Sequence, residues 1–127
     1  MKYGFSKDVQ LSFDQAIAKV TDELKKEGFG VLTTIDVQDT LRKKLDVAFP
    51  RYVILGACNP PFAYKALQAE EEVGLLLPCN VIVYEKQGKT RVAAFDPMVM
   101  TVILGNPQME PVIDEVKARL ERVIAAM

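Results

Sequence analysis

Apolar residues recur at helical spacing through Phe13, Ala16, Ile17, Val20 and Leu24, while Asp14, Lys19, Asp22, Lys25 and Lys26 fall on the other side. That period predicts an amphipathic helix with one buried stripe. Ser12 and Gln15 stand at capping-box spacing, so each can satisfy an orphan backbone donor of the first turn. Gly28 suits the left-handed position that ends such a helix. Residues 2 to 9 ahead of it can form a short strand.

The pattern then shifts to a period of two. Phe29, Val31, Thr33 and Ile35 alternate along a strand from Phe29 to Val37 and are expected to share one face. Asp39 to Leu45 is polar and suits a short helix capped by Asp39 or Thr40. Arg51 to Ala57 is a continuous apolar run bounded by Pro50 and Asn59-Pro60, the mark of a buried strand. Asn59-Pro60-Pro61 starts a helix through Glu70, since proline is preorganised for a first turn. Gly74 and Pro78 punctuate the next stretch. Asn80 to Glu85 and Thr90 to Phe95 make a hairpin around Lys86-Gln87-Gly88-Lys89, and Asp96-Pro97 ends it. Asn106-Pro107 opens a long last helix with its stripe on Met109, Val112, Ile113, Val116, Leu120, Val123 and Ile124.

These elements predict an α+β domain spanning residues 1–127. Its antiparallel sheet has four or more strands, with both long helices on one face. The other face would then expose Leu32 and further apolar side chains. An uncovered apolar face predicts a two-fold homodimer burying over ~1,000 Å².

Charge and composition narrow the chemistry. The chain has 127 residues, 16 basic and 17 acidic, for a net charge of −1. Nucleic-acid binding needs a basic surface, and the strongest basic cluster, Arg42-Lys43-Lys44, is flanked by Asp36, Asp39 and Asp46. No nucleic-acid partner is expected. No apolar run approaches the ~20 residues that span a bilayer. The start lacks the apolar core of a signal peptide, and with two cysteines this points to a reducing cytoplasm. Histidine is absent, which removes Ser-His and Cys-His nucleophile pairs and histidine-held metals. Two thiols cannot close a tetrahedral zinc site, so neither metal nor cofactor is expected.

Two Cys-Asn pairs beside prolines stand out: Cys58-Asn59 before Pro60-Pro61, and Cys79-Asn80 after Pro78. Cys58 falls at a strand end just before a helix N-terminus, where partial positive charge favours a thiolate. If their strands are antiparallel, both pairs meet at one rim. Cys58, Asn59, Cys79 and Asn80 would then form a small-molecule or reactive-thiol site. The competing reading makes both cysteines small buried hydrophobes and both asparagines turn or cap residues. Glu70-Glu71-Glu72 reads as solvated surface, because consecutive helix positions cannot face one way. Asp96 reads as a turn residue, and Tyr52, Tyr64 and Tyr84 as amphipathic packing. A non-catalytic protein-interaction module is the other functional class these features allow; whether the chain is an enzyme is left open.

Several of these segments together resemble a bacterial and archaeal family known as domain-of-unknown-function family 302. They are the Phe13–Leu24 helix, Gly28-Phe29-Gly30-Val31, Leu55-Gly56-Ala57-Cys58-Asn59-Pro60, Ala66-Leu67, Gly74-Leu75-Leu76-Leu77-Pro78-Cys79-Asn80-Val81, and Asp96-Pro97. The resemblance covers nearly the whole chain. It implies a β-α-β-β-β-β-α sandwich similar in topology to one repeat of the TATA-binding protein, assembled as a homodimer. It supplies no activity and no catalytic residues.

Overall fold

Each predicted strand finds a neighbour in the computed structural model, which describes residues 2–127. The strands are β1 (Gly4–Val9), β2 (Gly30–Asp36), β3 (Tyr52–Cys58), β4 (Cys79–Lys86) and β5 (Lys89–Phe95). They form one sheet in the order β1-β5-β4-β3-β2 with every pairing antiparallel. β4 and β5 join through Gln87-Gly88, both at positive φ (53° and 76°), as a tight two-residue hairpin requires.

Helix α1 (Phe13–Lys26) begins with the capping box: the Gln15 N–H donates to Ser12 Oγ and the Ser12 N–H donates to Gln15 Oε1, each at 3.1 Å. Its Phe13, Ala16, Val20 and Leu24 stripe is buried. Helix α5 (Glu110–Ala125) buries Ile113, Val116, Leu120, Val123 and Ile124. Both lie against the odd-numbered side chains of β3 and β4, and the main core joins Leu24 and Leu120 to Val53, Leu55, Val81, Val83 and Val92. The expected sheet with two long helices on one face is the observed architecture.

Two local expectations need correction. Thr33 and Ile35 do not share a face with Phe29 and Val31, because β2 carries a bulge between Val31 and Thr33. Val31 pairs with core-facing Ala57, whereas Thr33 pairs with Gly56 and Ile35 with Ile54 on the open face. One inserted residue, Leu32, inverts every later side chain, since the strand period is two. Helix α2 (Val37–Leu45) starts earlier than expected and is capped by Asp36, whose Oδ1 accepts the Asp39 N–H at 2.9 Å.

The remaining elements gather at one end of the sheet. Helix α3 (Pro60–Ala69) starts at its prolines and is followed by a 3₁₀ turn over Glu71–Leu76. Helix α4 (Met98–Leu104) follows β5 and was not foreseen. Asp96 is the turn residue expected: its Oδ1 accepts the Met98 N–H at 2.9 Å and its Oδ2 meets Lys117 Nζ at 3.3 Å. Asn106 accepts the Gln108 N–H and leads through a short 3₁₀ turn into α5. Ala66, Val73, Met100, Met109 and Ile113 form a second apolar cluster here. Among the described residues no helix is long and apolar enough to cross a membrane.

Candidate functional site

Antiparallel pairing of β3 with β4 brings the end of one to the start of the other. Cys79 is the register partner of Ala57, one residue before Cys58. The two thiols therefore meet at one rim, at the N-terminus of α3. Strand alternation nevertheless separates their side chains. Ala57 and Cys79 belong to the helix-covered core, while Cys58 is half-buried and outside it. Burial, with a smaller contribution from nearby Cys58, pushes the Cys79 thiol from 9.0 up to about 11. Cys79 is thus a protonated, packed thiol at neutral pH. Both cysteines are free.

The asparagines part company. Asn80 is exposed and pairs with Gly56 on the open face. Asn59 is buried, with 6% of its surface exposed. It occupies the N-cap position of α3 but does not cap it. Its Nδ2 instead donates to the Glu27 carbonyl at 3.2 Å, beside Arg119 Nη1 at 2.8 Å. That carbonyl is one of the orphan acceptors left where α1 ends. Gly28 permits the approach: it holds φ +87°, and a Cβ there would lie 3.0 Å from Asn59 Nδ2. Arg122 and the Glu27 carboxylate close the same corner at 2.9 Å, and that hydrogen bond lowers the Glu27 pKa.

Between this corner and the second apolar cluster lies a cavity of about 300 Å³. Its walls come from the ends of β2 and β3, from α3, α4 and α5, and from the segment that leads into β4. Phe62, Met100, Met109, Val112, Ile113 and Pro97 supply much of the apolar surface. Cys58, Asn59, Cys79 and Thr33 are its polar-bearing residues; Asn80 is not part of it. Among the described residues no aspartate, glutamate, lysine or arginine lines it. The Arg119 guanidinium lies 5.0 Å from the Phe62 ring centroid, holding that wall. Gly56 lets the strand ends close up, since a Cβ there would collide with Thr33 Oγ1 and approach Pro78 Cγ to 2.9 Å.

Of the residues singled out in the sequence, Cys58, Asn59 and Cys79 line this cavity and Asn80 does not; the α4 wall with Met100 was not anticipated, and Met109 was read only as helix stripe. Met98 to Leu104 contains no charged residue, which was the available sign of an element with an apolar duty. Among the described residues no cluster of acidic or thiol side chains suits a metal.

A family model described as "Domain of unknown function DUF302" matches residues 5–127. The crystal structure of an uncharacterised conserved DUF302 protein from Bacillus stearothermophilus is similar at 28% identity. The match covers 98% of each chain with a TM-score of 0.91. No curated protein matches the chain.

Proposed function

Since the chain belongs to the DUF302 family, whose description assigns no activity, we propose a function from the site itself: binding of a small apolar molecule in the rim cavity. The observation that supports it is an almost wholly apolar cavity of about 300 Å³ whose lining includes the buried Asn59. Ligand sites are concave and mostly apolar, ~300–1,000 Å³ in size, with a few placed polar groups. Cys58 borders the cavity and Cys79 sits in its wall, so the thiols act as lining rather than as a paired redox centre. Retention of both as free thiols fits a reducing cytoplasm.

Filling the cavity tests this. Ala63→Leu adds bulk to the α3 wall. We expect naphthalene to raise the melting temperature of the parent protein and to leave that of Ala63→Leu unchanged. No shift in the parent defeats the reading. Native mass spectrometry of protein from its own host would then identify the retained molecule.

A second reading, an interaction module acting as a homodimer, draws on a different face. Ile35, Ile54 and Ile82 form a cross-strand row there, and Tyr52 stacks on Tyr84 at 5.2 Å. Leu32 and Ile35 are exposed beside them. Light scattering at micromolar concentration should give twice the chain mass, and Ile82→Lys should halve it. A monomer in the parent removes this reading.

A further inference from the structure

We infer that the molecule held in the rim cavity is neutral and carries a hydroxyl or N–H donor, accepted by the Asn59 side-chain oxygen. This rests on the cavity being a binding site and specifies its occupant.

Charge is decided by the lining. Among the described residues no ionised side chain reaches the cavity surface. An ion placed there would lose its hydration without gaining a partner, which costs far more than burial of a neutral polar group.

The donor is decided by how Asn59 is held. The residue is more than nine-tenths buried, with 6% exposed, and lies in the cavity wall. Its Nδ2 is fixed on the Glu27 carbonyl and lies against Gly28. The oxygen and nitrogen of an amide diverge by about 120° from one carbon, so anchoring the nitrogen at the end of α1 leaves Oδ1 as the atom this wall residue can offer the cavity. An N-cap side chain ordinarily accepts from the first helical turn, but here no such bond forms. Among the described residues no donor reaches Oδ1 at all. Oδ1 is not among the fully buried unpartnered atoms, so it stays open to solvent at the cavity wall, and a ligand donor would take the place of water there. Prolines at the first two helix positions sharpen the arrangement, because neither has an N–H that could draw the oxygen back.

Size bounds the rest. The cavity of about 300 Å³ is roughly twice the ~150 Å³ that accommodates benzene. It suits a compact molecule of about a dozen non-hydrogen atoms, with one polar corner and an otherwise apolar body.

Calorimetric titration with three naphthalenes of matched shape separates the claims. On the parent protein at neutral pH, 2-naphthol should bind at least tenfold more tightly than 2-methoxynaphthalene, which lacks the donor. It should also bind at least tenfold more tightly than the 2-naphthoate anion. Asn59→Leu should erase the preference for the naphthol while leaving affinity for the methyl ether within about twofold. Equal binding of naphthol and ether to the parent overturns the donor and leaves the cavity reading intact. Tighter binding of the anion overturns neutrality. Failure of all three to bind overturns the cavity reading and this inference together. The parent series decides the matter even if Asn59→Leu does not fold.

Discussion

The two ends of this domain bury apolar surface in different ways. At the α1 end, a 14-residue helix with a capping box lays an unbroken stripe on alternating strand side chains. At the rim, three short elements meet: the 3₁₀ turn over Glu71–Leu76, α4, and the 3₁₀ turn over Pro107–Met109. Each buries little: Val73, Met100 and Met109 are their only buried side chains. Leu75 and Val102 remain 83% and 87% exposed, and the Thr101 hydroxyl is buried with no partner among the described residues. Long regular elements interdigitate along their whole length, whereas short ones meet at corners and leave a void. Close packing gives stability to the first end, and loose packing gives the second a cavity.

Truncation on each side tests that contrast most severely. Leu24→Ala empties a fully buried position in the main core and should cost about 2–5 kcal/mol in urea denaturation. Met100→Ala, beside an existing cavity, should cost less than Leu24→Ala, since much of its surroundings is already open. Equal losses would show that the two ends are packed alike.

Alkaline titration probes the boundary between them. Cys79 has its pKa raised by burial from 9.0 to about 11. The unfolded chain loses this proton first, so the stabilisation is full below pH 9 and declines as pH rises toward 11. The loss should reach roughly 2–3 kcal/mol. Stability from urea curves should decline more steeply with pH in the parent than in Cys79→Ala, which keeps only the alkaline loss from groups such as half-buried Tyr52. Parallel pH dependences would mean the thiol is not desolvated.

Gly56→Ala should cost about 1–3 kcal/mol, because its Cβ meets Thr33 and Pro78. Gly30→Ala on the neighbouring strand has nothing within 4 Å and should change stability little. Thr33→Ala should recover part of the Gly56→Ala loss; no recovery would place the strain elsewhere. An effect smaller than that of Gly56→Ala belongs to α1: Ser12→Ala should cost ~1 kcal/mol by thermal denaturation, without altering ligand binding at the far corner.

The main core was legible because its information is local. The capping box, the apolar stripes of α1 and α5 and the Gln87-Gly88 turn each lie within a few residues of one another. Strand period and turn chemistry together implied an antiparallel sheet, and that alone implied that Cys58 and Cys79 share a rim. The bulge at Leu32 was not legible, because an inserted residue leaves the composition of a strand unchanged and shows only in its pairing with β3. Helix α4 was missed for a related reason: an uncharged apolar heptad can serve a strand, a core helix or a partly exposed one.

The sequence by itself determined the α+β class, the capped helices, the hairpin and the meeting of the two Cys-Asn pairs, since each follows from local sterics or from a period. The tertiary structure decided what those pairs became. It sent Cys79 into the core, turned Asn80 out to the open face and drew Asn59 away from its own helix to the end of α1. These outcomes depend on groups 22 to 32 residues away along the chain, brought together by packing that no local pattern encodes.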